Sequence, residues 1–306
     1  MLKKDFTASM RLQERVKRRR GAESTADLYR AVRNRLLCYS GKECVMVKDV
    51  TVSLVAGFME WLHAEGLRVN TVNSYISNLR AMYNRCLRES NGRCPADYPF
   101  YGLKLRREET EKRSVPVVAM GALAGMELPE GTGLSVAADL ALFSFTACGM
   151  PFVDLVHLRR ENIRDGKLLS YRRRKTGTLI ELELTEGMKR LMGKYANAHS
   201  VYLFPVLRES STYADYKRLL RQYNASLKII GVRLGLQEKF TSYTIRHTWA
   251  SAAYRQHVDI SVISQALGHT SEKMTRTYLA RLDPMEISAA NKRVSGHVDE
   301  LLLKRA

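Results

Sequence analysis

The stretch ALGHTSEKMTRTYLARLD, residues 266–283, decides how the chain is read. A Gly-His pair, Gly268 and His269, is followed nine residues after the histidine by Tyr278, on a helical pattern. A tyrosine at helical spacing is ordinarily a core aromatic. The alternative is a nucleophile held on a helix. The stretch alone leaves both open, so the rest of the chain has to decide.

The chain has 306 residues, long enough for two domains, and is 45% hydrophobic, enough to bury real cores. Its 50 Lys and Arg against 31 Asp and Glu leave a formal charge of +19 and a pI near 9.9. Such an excess points to a polyanionic partner, and nucleic acid is the commonest. The charge is unevenly placed: residues 1–20 carry eight Lys or Arg against Asp5 and Glu14. No apolar run is long enough to span a membrane, and the basic start lacks the apolar core of a signal peptide. The expectation is a cytoplasmic, bacterial, nucleoid-associated protein. The five cysteines (Cys38, Cys44, Cys86, Cys94 and Cys148) are odd in number and form no CxxC pair, which predicts reduced thiols.

Outward from the opening stretch, the pattern predicts a mainly α fold with a small β-hairpin, an α+β arrangement in two domains. Residues 1–20 read as a basic arm, more in keeping with an extension of a DNA clamp than with a separate domain. Residues 21–92 read as a helical bundle. Leu28, Val32 and Leu36 share one face; Leu54, Phe58, Trp61 and Leu62 share another, with Gly66 as a stop. A third helix with an Asn70 cap repeats Val72, Tyr75, Ile76, Leu79, Met82 and Tyr83. Its outer face carries Arg80, Arg85 and Arg88 which, with Arg18 and Arg19, are the DNA-binding candidates; a solvated face is the competing reading. Residues 93–113 read as a linker, residues 114–283 as a second domain, and 284–306 as a tail with Val298, Leu301 and Leu302 on one face. Within the second domain LSVAADLALFSFTACGM reads as an apolar helix and PFVDLVHLRREN as another, opened by Pro151. Alternation of Leu169, Tyr171, Arg173 and Lys175, then of Ile180, Leu182 and Leu184, predicts a hairpin about Thr176-Gly177. Further helices are expected at 213–232, 244–256, 260–267 and 271–280.

The sequence has no GxxxxGK[ST], HExxH or Gly-x-Ser-x-Gly motif and no DxD-type metal cluster. The strong candidates are basic residues and one tyrosine. A metal-free site that opens a phosphodiester needs a nucleophile, donors for the nonbridging oxygens and an acid for the leaving alkoxide. Arginine suits the second role and lysine or histidine the third. Lys175, Arg246 in TSYTIRHTWAS, His269 and Tyr278 supply these parts in order.

TIRHTWAS together with ALGHTSEKMTRTYLA closely resembles the signature of the tyrosine recombinase (phage integrase) family: an Arg-His pair on a helix, Leu-Gly-His, and a tyrosine nine residues on. The phrases GMPFVDLVHLRRENI and YRRRKTG look like the branch common in Bacteroides-type bacteria and their mobile elements. The resemblance implies that Tyr278 attacks a DNA phosphodiester and forms a 3′-phosphotyrosine, with no cofactor and neither ATP nor metal. It implies that Lys175 protonates the leaving 5′-oxygen, that Arg246 holds the nonbridging oxygens, and that His269 donates to phosphate or assists Tyr278. It implies double-stranded DNA with inverted-repeat core sites as partner, a homotetramer on it, accessory DNA-bending proteins in some systems, and a tail that docks on a neighbour.

Two departures stand out. Where the family usually has a histidine three residues before the helical arginine, this chain has Tyr243, which either contacts phosphate or packs. The family's first catalytic arginine is absent from its place: Cys148, Gly149, Met150 and Pro151 stand there. Arg173 is the candidate replacement, expected on the same strand face as Lys175; a backbone-phosphate contact or a solvated strand is the competing reading. His157, His199 and Trp249 read as ordinary packing or surface residues, and Arg276 as a DNA contact or a solvated one. The missing arginine opens two rival readings, a recombinase-fold DNA binder with impaired cleavage and a topoisomerase-like nicking enzyme. In context the nucleophile reading of Tyr278 is the stronger.

Overall fold

A computed structural model describes residues 4–89, 97–106, 108, 114–196, 200–276, 291–296 and 298. Tyr278, Cys94, Arg107, His199, Leu301 and Leu302 lie outside the described residues. The chain divides into two units, Met1–Thr110 and Glu111–Ala306.

The first unit is built of α1 (Phe6–Arg19), α2 (Glu23–Ser40), α3 (Val52–Ala64) and α4 (Val69–Glu89). The apolar stripes read from spacing are its core: Val32, Leu36, Phe58, Leu62, Ile76 and Leu79 are all fully buried. Each such side chain contributes roughly 2 kcal/mol. Gly66 takes a left-handed backbone (φ +76°) after α3, as a stop should. Two expectations fail here. Residues 6–19 are a helix rather than an arm: Asp5 caps α1 through the Ala8 amide (2.8 Å), and Phe6 and Met10 are fully buried. The polar sequence hid this because the stripe continues through Gln13 and Glu14, buried in place of apolar groups. Asn70 is not a cap, since α4 already begins at Val69. Its amide instead donates to the Glu108 carbonyl and accepts from the Glu108 amide, and Asn73 likewise holds the Arg106 carbonyl.

The second unit contains α5 (Val117–Ala124), α6 (Gly133–Thr146), α7 (Phe152–Leu155), β1 (Ile163–Arg164), β2 (Leu168–Arg172), β3 (Leu179–Glu183), α8 (Glu186–Lys194), α9 (Tyr213–Arg233), α10 (Ser242–Arg255), α11 (Ile260–Leu267) and α12 (Glu272–Arg276). The three strands form one antiparallel sheet in sequence order, with Leu169 opposite Leu182 and Tyr171 opposite Ile180. The core gathers α6, α9, the sheet and α10 around Phe143, Phe204, Leu227, Ile230, Phe240 and Ile245. A smaller cluster, Ala250, Ile263 and Leu267, joins α10 to α11. The helix opened by Pro151 is one turn only. No described helix is long and apolar enough to cross a membrane.

Candidate active site

The site is assembled around one backbone oxygen. Helix α11 ends at Leu267, where Gly268 turns left-handed (φ +64°) and the amides of Gly268 and His269 donate back to Gln265 and Ser264. A helix leaves its last carbonyls without amide partners. The Leu267 carbonyl is one of these, and two guanidinium groups fill it: Arg246 donates through Nη2 at 2.6 Å, and Arg173 donates through Nη1. The helix C-terminus carries partial negative charge, which helps hold two like charges together.

Arg246 stands in the second turn of α10 and is 4% exposed. Its Nη1 donates to the Gly149 carbonyl at 2.9 Å, and its Nη2 lies 3.2 Å from His269 Nε2. Gly149 has φ +67°, and a Cβ there would meet the Arg246 Cα at 2.8 Å. The close approach of two backbones therefore requires glycine at 149.

Arg173 does not share a strand face with Lys175, because β2 ends at Arg172. The Arg173 amide donates to the Thr178 carbonyl and the Gly177 amide to the Arg173 carbonyl, each at 2.8 Å, closing a six-residue turn. Arg173 turns inward, 6% exposed, so it is not a solvated strand residue. Its Nε donates to Asp154 Oδ2 at 2.6 Å, while Asp154 Oδ1 accepts from the Arg174 amide at 2.8 Å. The carboxylate is itself fully buried on α7. Gly268 makes room for this arginine: a Cβ there would sit 2.8 Å from the Arg173 Cγ. Lys175 is exposed in the turn, and Thr176 ties that turn to the Gly268 carbonyl at 3.3 Å.

His269 is half-buried, and its Nδ1 lies 2.8 Å from the Thr275 hydroxyl. Burial, then the charges of Arg246, Arg173 and Lys175, push its pKa down to about 4, so the ring is neutral at pH 7. Burial raises the Cys148 thiol against the pull of Arg246, which keeps it protonated. Cys148 is half-buried with φ +57°, and Pro151 caps α7; the segment in which the family's arginine was sought thus places the Gly149 carbonyl against Arg246. Tyr243 is 52% exposed, with its ring edge-on to His247 at 4.6 Å.

Arg246, His269 and Arg173 are therefore brought together, with Lys175 on the adjoining turn. Sequence reasoning missed Asp154, the Leu267 carbonyl and Thr275. Asp154 lies three residues after Pro151, but that spacing does not name its partner, and backbone oxygens leave no sequence signal. Of the DNA-binding candidates, Arg19 and Arg88 are exposed and Arg80 is half-buried, whereas Arg85 pairs with Glu89 at 2.7 Å. Arg18 is enclosed by Glu14, Glu23 and Asp27 at 3.3, 2.7 and 3.0 Å, an arrangement that answers its charge within the protein. Arg276 is exposed and lies 4.0 Å from Glu272.

Comparison with known proteins agrees with this geometry. Residues 134–284 match the phage integrase family, and residues 6–98 match the phage integrase SAM-like domain. Tyrosine recombinase XerD of Pseudomonas aeruginosa is 23% identical over 274 residues, covering 84% of this chain and 86% of that protein. A tyrosine recombinase of Thermosipho africanus is 23% identical over 90% of this chain and 94% of its own length. The fold is that of the Tn1549 transposon integrase in complex with circular intermediate DNA (TM-score 0.63, 16% identity, 95% of this chain and 99% of that one). It is also that of a lambda integrase dimer bound to a COC′ core site (TM-score 0.63, 15% identity, 90% and 96%). With both domain types matched in order across the chain, and an Arg-His-Arg cluster built at the segment that leads to Tyr278, this protein belongs to the tyrosine recombinase family.

Proposed function

We propose that the protein is a site-specific recombinase that cleaves and rejoins double-stranded DNA through a 3′-phosphotyrosine at Tyr278. The observation that carries this reading is the convergence of Arg173 and Arg246 on the Leu267 carbonyl beside His269. Arg246 is held by neutral backbone oxygens, and the two guanidiniums share one carboxylate, Asp154 on Arg173, so the pair keeps a net positive charge for an incoming phosphate. In cleavage the Tyr278 oxygen bonds to phosphorus and the bond from phosphorus to the 5′-oxygen breaks. The tyrosine proton passes to neutral His269, and Lys175 gives a proton to the departing 5′-oxygen. Arg246 and Arg173 hold the nonbridging oxygens, so that Arg173 does the work of the arginine missing at Cys148 and Pro151. Rejoining is the same path reversed, and it conserves the bond energy. The basic face of α4 would bind the duplex, with inverted-repeat core sites, a tetramer on DNA and accessory bending proteins as the remaining parts of this reading.

The test is a nicked suicide duplex made from DNA flanking the gene. Wild-type protein is expected to form a covalent adduct that Tyr278→Phe does not form. No adduct under any condition would support a recombinase-fold DNA binder instead. Adducts without tetramers or four-way junctions would support a nicking enzyme.

A further inference from the structure

We propose that Thr275 is a positioning residue that holds His269 as the neutral tautomer protonated at Nδ1, leaving the Nε2 lone pair as the proton acceptor of the site. The tautomer follows from contacts alone; its use in cleavage rests on the function proposed above.

An arginine N–H can only donate. Arg246 Nη2 lies 3.2 Å from His269 Nε2, so Nε2 must present a lone pair to it. A neutral imidazole carries one proton, and that proton is then on Nδ1. Nδ1 lies 2.8 Å from Thr275 Oγ1, which accepts it. Thr275 is fully buried, so water does not compete for this contact. In water the Nε2-protonated form of histidine is the favoured one, so the Arg246 N–H at Nε2 and the Thr275 oxygen at Nδ1 together select the other form. A second proton is disfavoured because Arg246 from α10, Arg173 from the end of β2 and Lys175 from the hairpin turn all place positive charge toward the ring. A histidine in this form has no proton at Nε2 to give to phosphate. It can accept one there, which resolves the two roles left open by the sequence in favour of assisting Tyr278. When the Tyr278 oxygen bonds to phosphorus and the Arg246 N–H turns from Nε2 to the phosphate, the tyrosine proton would move to Nε2, and the resulting imidazolium would keep its Nδ1–H on Thr275. Thr275 also lies three residues before Tyr278 in the chain, so the same contact ties the segment leading to the nucleophile to the arginine cluster.

The experiment is nitrogen NMR of histidine-labelled full-length protein near pH 7, with the His269 signals assigned from a His269→Gln variant. The wild type is expected to show the Nδ1-protonated tautomer, Thr275→Ser to keep it, and Thr275→Val to show a larger share of Nε2–H. A wild-type ring protonated at Nε2, or an unchanged pattern in Thr275→Val, would overturn the proposal. Adduct formation on the nicked duplex supplies the second readout. Thr275→Val is expected to lower its rate by roughly tenfold, less than the ~10²–10⁴ of losing the proton transfer itself, because His269 remains. Thr275→Ser should restore the rate, and Thr275→Val should add no loss in a His269→Gln background. An equal loss in that background would assign Thr275 a purely structural role. If wild-type protein forms no adduct at all, the proposed function fails while the nitrogen spectrum still decides the tautomer.

Discussion

Two arginine clusters in this molecule use the same side chain in opposite ways. In the first unit Arg18, Arg30 and Arg33 face Glu14, Glu23 and Asp27, so each cation has a carboxylate partner. In the second, Arg173 and Arg246 are held by the Leu267 and Gly149 carbonyls, and Asp154 is the carboxylate that joins them. Asp154 answers Arg173, while neutral oxygens satisfy Arg246 without cancelling its charge, so this cluster keeps a net positive charge. The first cluster therefore serves folding, and the second keeps a field that a phosphate can complete. On the proposed function, partners rather than burial separate a structural arginine from a catalytic one.

The largest stability effect is expected at Asp154. Asp154→Ala leaves Arg173 buried without its carboxylate and should cost about 3–5 kcal/mol, read by urea unfolding. A loss below about 1 kcal/mol would mean that the carbonyls alone hold Arg173. Gly268→Ala comes next: a positive φ with a Cβ pressed on Arg173 should cost about 1–2 kcal/mol and displace the guanidinium. Adduct formation should fall with it, and unaltered cleavage would separate Arg173 from the chemistry. Glu14 gives a smaller, pH-dependent effect. Burial works to raise its pKa, but hydrogen bonds from Arg33 and Arg18 outweigh this and hold it below 4.5. Its contribution is present above that value and lost as the pH falls through the lowered one. The stability gap between wild type and Glu14→Gln should accordingly close in acid, as followed by thermal melts from pH 7 downward. The smallest effect concerns DNA affinity. Arg88→Ala should reduce the salt slope by about one, while Arg18→Ala should leave it unchanged because Arg18 is already answered.

The helical stripes, the hairpin and the order Lys175, Arg246, His269, Tyr278 were legible because each is a matter of spacing or residue type. Ile260 to Leu267 is bounded as its periodicity predicts. Helix α1 was not legible, since Glu14 is buried through Arg33 rather than by apolarity, and a charge pattern does not announce its partner. The inward turn of Arg173 was hidden for a related reason. Strand alternation stops where the backbone leaves the ladder, and the Thr178 carbonyl that closes the turn has no side-chain signature. The Leu267 carbonyl is the extreme case: its importance comes from Gly268 ending a helix beneath two arginines.

The central claim is that Arg173 replaces the absent arginine, and the most direct measurement is the rate of covalent adduct formation on the nicked duplex at saturating protein, with folding checked by thermal melts. Arg173→Ala is expected to lower that rate by about 10²–10³-fold, the scale of losing one preorganised donor, while Cys148→Arg leaves it unchanged. Wild-type cleavage by Arg173→Ala, or faster cleavage by Cys148→Arg, would contradict the account.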